Sequence, residues 1–425
     1  MRIHTGILAA ATAIVSLLGS TRPARADGAF PDSLNVLVPA DRPSFIALTT
    51  NFGIISSLDS GASWTWVCES PSTSCSMLYS VGASPADRLF AVAADALVYS
   101  DDDACHWKVS GGVVSSGGVV DAFPLARDAS RVLAIVSPNG VGAQTTYTIV
   151  LSSNGGASFD AVLFTASAGD VVTGVEAARG DEQHLFATLA RGSGFTPALA
   201  VSDDGGAHWR EVDLSPQLAA AGIRLVAVDR TNPSRVFLRV SMADAEALAV
   251  FDATNDTLTT PLTFPGGLMT AFAQTDEGPL IVAGRLNAAA SVHRSLDGGA
   301  TWREVPGAPH LRALAERAGE LYGAADDVAD GFALAVSKDL GVSFHPLLRF
   351  AEVGSIAACV RDQCQETCRA EVATGLWPAS MCTAAPEVKP KASSSGCALA
   401  AAPRASLAAL GLALMMLLAR RPRAR

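Results

Sequence analysis

The stretch Ser57-Leu58-Asp59-Ser60-Gly61-Ala62-Ser63-Trp64 decides the fold, because the chain repeats it. It returns as Ser202-Asp203-Asp204-Gly205-Gly206-Ala207-His208-Trp209 and as Ser295-Leu296-Asp297-Gly298-Gly299-Ala300-Thr301-Trp302. With Phe for Trp it returns as Ser337-Lys338-Asp339-Leu340-Gly341-Val342-Ser343-Phe344. Two weaker copies run from Ser100 to Trp107, with Ala104 at the glycine position, and from Ser152 to Phe159, with Asn154 for Asp. The starts at 57, 100, 152, 202, 295 and 337 leave one gap of double length. Phe251 to Leu258 fits the register there, with Asn255 at the glycine position and Leu258 at the aromatic one, although its Ser and Asp are lost. The spacings then run between 42 and 52 residues, a period of propellers and solenoids.

The segments between copies repeat as well. An apolar strand precedes each one, as in Gly53-Ile54-Ile55-Ser56, Ala198-Leu199-Ala200-Val201 and Ala333-Leu334-Ala335-Val336. Another lies earlier in each unit, as in Phe45-Ile46-Ala47, Leu185-Phe186-Ala187 and Leu280-Ile281-Val282. Short strands with regular turns argue an all-β protein. Seven units of four strands, with no room for a second ring, predict a single seven-bladed β-propeller of four-stranded antiparallel blades. Within each copy Gly supplies positive φ, the Asp carboxylate and Ser or Thr hydroxyls accept turn amides, and the closing aromatic fills apolar space.

The pattern S-x-D-x-G-x-[ST]-W resembles the Asp-box, or BNR repeat, over residues 33 to about 350. The resemblance implies a hairpin turn between the third and fourth strands of each blade, on the outer face and away from the channel where ligands sit. Under it Ser57, Asp59, Gly61, Trp64, Asp102, Trp107, Asn154, Phe159, Asp204, Gly206, Trp209, Asp297, Gly299, Trp302, Asp339, Gly341 and Phe344 are fold residues.

Sialidases resemble this chain in box and blade, and they also need an arginine cluster, a Tyr–Glu nucleophile pair and an Asp acid/base. Only Asp41-Arg42-Pro43, in a turn, approaches their first arginine motif. Of the tyrosines Tyr79, Tyr99, Tyr147 and Tyr322, only Tyr79 falls outside the repeated strands, and of the tryptophans only Trp66 is unassigned. No catalytic residue is carried over. The expected function is a non-catalytic surface module that binds a protein or a glycan. The alternative is a divergent glycoside hydrolase, sialidase-like or glucan-active, working through inner-strand carboxylates such as Glu176, Asp229 or Glu316.

The two ends carry an address. Met1-Arg2-Ile3-His4 is a basic start, Ile7 to Leu18 an apolar core, and Ala24-Arg25-Ala26 a signal-peptidase pattern that places cleavage after Ala26. At the other end Gly396-Cys397 precedes the apolar run Ala398 to Ala419, interrupted only by Pro403-Arg404, and the terminal arginines Arg420, Arg421, Arg423 and Arg425. That run is expected to be a transmembrane helix with its basic tail in the cytoplasm. The arrangement resembles the MYXO-CTERM sorting segment, which implies processing near Cys397 and a place at the cell surface or outer membrane, with export and sorting machinery as partners.

The expected layout is a signal peptide at 1–26, a propeller at 27–352, a Cys-rich helical segment at 353–382, a linker at 383–395 and a sorting segment at 396–425. Eight of the 31 basic residues lie in the two ends and none of the 41 acidic ones does, so the exported body carries 23 basic residues and a net charge of −18. That excludes nucleic acid and an anionic membrane surface as partners of the body. No His pair has metal-ligand spacing and Asp101-Asp102-Asp103 lies inside the second box, so no metal or other cofactor is expected.

Eight cysteines in an exported chain read as disulfides. Cys68, Cys75 and Cys105 belong to the first two blades, where a Cys68–Cys105 bridge between blades and a Cys68–Cys75 bridge are the alternatives. Cys359, Cys364, Cys368 and Cys382 are expected to form two bridges among themselves around a helix over Arg361–Thr374, rather than a zinc site. Cys397 stands alone.

Overall fold

The computed structural model describes residues 31–69, 78–93, 96–138, 146–218, 222–287 and 289–382. The expected signal peptide with Ala26, Cys75, the linker and the sorting segment with Cys397 lie outside the described residues. Seven blades follow one another along the chain. The first strands are Ser33–Leu37, Leu78–Val81, Gly117–Pro124, Val171–Ala177, Gly222–Val228, Gly267–Gln274 and Ala313–Arg317. Each is followed by three more strands in sequence order, paired antiparallel. Blade four shows the plan: Val171–Ala177, Leu185–Arg191, Thr196–Ser202 and Arg210–Asp213.

Burial explains the sequence patterns. The second and third strands of blade four lie between neighbouring blades, so their middle residues are buried on both faces and read as unbroken apolar runs. Its fourth strand is the outer edge, and its alternating charges keep that edge from pairing with another chain. The first strands adjoin one another around most of the ring and line the channel. Bulges recur in them at Val119/Asp121, Val172/Gly174, Leu225/Ala227 and Met269/Ala271, where an extra residue bends the strand and re-aims its side chains. Two of the bulged residues are Thr173 and Thr270, whose hydroxyls donate to Ile223 O and Leu311 O of the next blade.

The repeated turn has one hydrogen-bond plan. In blade one the Ser57 hydroxyl donates to Asp59 Oδ1 and accepts the Gly61 amide, while Asp59 accepts the Ser63 amide and hydroxyl. The same set recurs at Asp204, Asp297 and Asp339. At Asp102 and Asp204 the seventh residue of the repeat is His in place of Ser or Thr, and its Nδ1 lies 2.6 Å from the carboxylate. Asn154 reproduces the geometry without a charge, accepting Ser158 N and donating to Ser158 Oγ. Gly61, Gly206, Gly299 and Gly341 have φ between 84° and 94°, where a Cβ is strained. Blade five has a hairpin at the expected place, between Ala245–Asp252 and Thr257–Pro265, but a different turn, held by Asp252 and Asn255 side chains.

Each blade draws its four antiparallel strands from one continuous stretch of chain, so the ring closes by other means. Ser33 Oγ donates to Ala333 O, and Arg312 pairs with Asp32. Arg317, 7% exposed, reaches from blade seven to three carbonyls of blade one, those of Arg42, Pro43 and Phe45. The C-terminal segment then crosses the seam. Ser355–Ile356 adds a fifth strand to blade one, parallel to Thr65–Val67, and the helix Arg361–Thr374 follows. Among the described residues no helix is long and apolar enough to cross a membrane.

The disulfides correct two expectations. Cys68 bonds Cys364 and Cys105 bonds Cys359, so blades one and two are tied to the C-terminal segment and not to each other. Only Cys368–Cys382 lies within that segment. Pairing by proximity in sequence misleads here because the fifth strand carries the chain's end back onto its beginning. Trp66 and Tyr79 are corrected too. Trp66 is fully buried, donates its indole N–H to Phe52 O and packs on Trp377, while Tyr79 is buried against Trp107.

Candidate functional site

The first turn and the boxed turn of each blade share one face of the ring, and the channel opens there among charged side chains. They come from equivalent places. One residue after the first strand, an amide closes the turn: Ala178 N to His184 O, Asp229 N to Arg235 O and Thr275 N to Pro279 O in blades four to six. The next residue in each is Arg179, Arg230 and Asp276. Arg230 Nη1 reaches Asp276 at 2.5 Å and Glu316, on the first strand of blade seven, at 2.8 Å. Arg179 stands beside Arg230, Asp276, Glu176 and Glu316. Its pKa is lowered, first by desolvation in the mouth and then by the Arg230 charge, and among the described residues it has no hydrogen-bond or ion-pair partner.

Inside the mouth the acids hold the blades together. Asp121 accepts Ala122 N and Val175 N, linking blade three to blade four. Glu176 accepts Val228 N at 3.1 Å, linking four to five. Gln274 donates to Val228 O and accepts Arg230 N, linking six to five. Glu316 accepts Gly319 N besides Arg230. Burial drives Asp121 up to about 6, against the backbone amides and Arg224, which favour its charge. Burial drives Glu176 up to about 7, and the neighbouring Asp121 adds to the rise.

The structure thus places Glu176 and Glu316 both near Arg179, and pairs Glu316 with Arg230. Asp229 is not part of the mouth. It is buried in its own turn, accepting Thr231 N, Thr231 Oγ1 and Asn232 N. The boxed aspartates lie at the rim, tied to their own turns, and Asp101, Asp102 and Asp103 are held by Arg88 and Lys108, by His106, and by Arg42 respectively. Among the described residues no group of three or more His, Cys, Asp or Glu is placed to hold a metal ion. Among the described residues the exposed large apolar side chains include no Trp, Tyr or Phe. Sequence reasoning missed Asp121, Arg179, Arg230 and Arg317. An alignment of the first turns, in addition to the boxes, would have set Arg179, Arg230 and Asp276 in one column.

No family model matches the chain, and neither does any curated protein. Solved structures do. A GH74 enzyme of Niastella koreensis is similar at TM-score 0.52 and 12% identity, covering 76% of this chain and 55% of that one. A puromycin-hydrolyzing peptidase of Mycobacterium tuberculosis is similar at TM-score 0.51 and 12% identity, covering 74% and 53%. YCF48 from Cyanidioschyzon merolae is similar at TM-score 0.47 and 14% identity, covering 69% and 92%. The chain spans about half the length of the enzymes it matches. Likeness at this identity shows a shared propeller fold.

Proposed function

We propose that this chain is an exported Asp-box propeller, anchored at the cell surface or outer membrane by a MYXO-CTERM-type segment, that binds a protein or glycan without transforming it. One observation carries the reading: the mouth acids are engaged in joining blades, Glu176 to Val228 N and Glu316 to Gly319 N and Arg230, while Arg179, among the described residues, makes no hydrogen bond or ion pair and is left to meet a ligand. A general acid or base needs its proton-carrying oxygen within reach of substrate, and oxygens already holding structural amides are poorly placed for that. The lack of an exposed aromatic platform among the described residues favours a protein over a stacked sugar ring. The test is a pull-down and binding titration of the mature protein with wild-type and Arg179→Ala forms. Weaker binding by the variant, with an unchanged melting temperature, is the expected result. Equal binding by both forms places the ligand elsewhere.

One observation favours the second reading, a divergent glycoside hydrolase. Asp121 and Glu176 titrate at about 6 and about 7, the range in which a carboxyl serves as a general acid near neutrality. Incubation of the mature protein with sialosides and with β-glucans, read by released reducing sugar, decides between the two.

A further inference from the structure

The last described segment, Arg349 to Cys382, is built unlike the blades. It leaves the outer strand of blade seven, passes along the outer edge of blade one, and reaches the box of blade two. Backbone bonds from Gly354 N to Trp64 O and from Ala357 N to Trp66 O lay it on that edge. Phe350 and Trp377 pack edge-on against Phe52, and Trp377 also meets Trp66. Cys364 and Cys359 fasten it to Cys68 and Cys105.

Its apolar contacts are confined. The core cluster that contains Phe350, Val360, Trp377 and Met381 is made of blades seven, one and two with this segment. The other five clusters, which fill the remaining junctions, contain no residue of it. The segment therefore spans the one seam where the ends of the ring meet, and nothing in blades three to six leans on it.

We infer that residues 349–382 form a thiol-sensitive strap: the two bridges to blades one and two lock it across the ring seam, and their reduction releases it while the seven blades stay folded. Release bares the backbone edge of Thr65–Val67 together with Phe52 and Trp66. The chemistry is an exchange with a dithiol. Each bridge takes two electrons and two protons from one dithiol, yields two cysteine thiols, and leaves the reagent as its cyclic disulfide. The reason for release is physical. Two backbone bonds to an edge strand, the aromatic contacts and the burial of Phe350, Val353, Ile356, Val360, Trp377 and Met381 are set against the entropic cost of ordering 34 residues, and the bridges limit the freedom gained on opening.

The test uses the full mature chain, oxidised and then treated with dithiothreitol under native conditions, with alkylation and mass spectrometry to count the thiols released. Hydrogen exchange is followed at Gly354 and Ala357 and, as reference, within Leu185–Arg191 of blade four. Cutting each bridge is expected to raise strap opening by about a hundredfold, with a red shift of Trp66 and Trp377 fluorescence and no change in blade four. Reduction of both bridges with the strap amides still protected overturns the inference, since packing alone then holds the strap. Loss of protection in blade four overturns it too, since the bridges then support the whole ring. Bridges that resist the reagent in the folded chain overturn the thiol sensitivity. The Cys368→Ser variant, which cuts only the strap's internal bridge, is expected to leave Gly354 and Ala357 protected in the oxidised protein.

Discussion

Replacing Arg317 with Met keeps most of the side-chain volume and removes the group that joins the last blade to the first. In the native ring its guanidinium donates to Phe45 O at 2.6 Å, Pro43 O at 2.8 Å, Arg42 O at 3.0 Å and the Tyr322 hydroxyl at 3.1 Å. The Tyr322 hydroxyl in turn donates to Glu320. The Phe45 bond is buried, and leaving that carbonyl unmet costs about 1–3 kcal/mol. The other two carbonyls are half-buried and recover water in part, so each loses about 1 kcal/mol. The sum is about 4 kcal/mol, within the range for breaking a buried charged network. Unfolding entropy of about 2.1 cal/mol/K per residue over about 350 residues gives about 0.7 kcal/mol/K, so the melting temperature should fall by about 6 °C. The assay is scanning calorimetry on the disulfide-intact protein, with Arg303→Met as control. Arg303 lies exposed on the outer strand of blade six, and its loss should stay within about 0.5 kcal/mol. A shift for Arg317→Met no larger than the control's would refute the account of the seam.

Acid should loosen the boxed turns unevenly. Asp59, Asp204 and Asp297 titrate at about 2, first because Ser63, His208 and Thr301 respectively donate to them, and Asp339 also titrates at about 2 through its Ser343 bonds despite some burial. Their folded values lie below the unfolded value of 3.8, so their support is complete above that pH and disappears as pH falls through about 2. Asn154 does not titrate, so hydrogen exchange in that window should show the Ser63, His208, Thr301 and Ser343 amides opening while Ser158 stays protected. Glu176 runs the other way. Its folded value, about 7 against 4.5, makes ionisation unfavourable in the ring, a cost that appears above pH 4.5 and is complete above about 7. Glu176→Gln should therefore gain on the wild type by about 3 kcal/mol at pH 8 and by little at pH 4.5, measured by denaturant unfolding at both. A variant that gains equally at the two pH values would contradict the burial of that carboxyl. Gly53→Ala should cost several kcal/mol, about 3, because φ there is +129° and a Cβ would lie 2.2 Å from Val67 O. Thermal melts of that variant beside Gly192→Ala, where nothing lies within 4 Å, separate the clash from the backbone strain that both share.

Much of the fold could be read from the chain because the boxed turn is local. Ser, Asp, Gly and the closing aromatic interact within eight residues, so their bonding is written in their spacing. Even the decayed copy at Phe251 kept its place, since the hairpin there survives with other side chains, Asp252 and Asn255. What could not be read is whatever depends on the ring being closed. The Cys105–Cys359 bridge spans 254 residues, and no local pattern marks it. Arg230 meets Glu316 only because blades five, six and seven curve past one channel. Trp66 looked unassigned because its partner, Trp377, arrives from the far end of the chain. Asp229 and Glu176 sit at similar places in their units. Asp229 lies one residue past its first strand and folds into its own loop, whereas Glu176, two residues earlier in its unit, is still in the strand and reaches the next blade.

The mouth of this propeller is proposed to bind its ligand without transforming it. The measurement that tests it most directly is turnover of sialosides and β-glucans by the mature protein across pH 5 to 8, repeated with Glu176→Gln and Asp121→Asn. No turnover above the uncatalysed background is expected for any of the three. Turnover by the wild type that is lost in either variant would contradict it and establish a hydrolase.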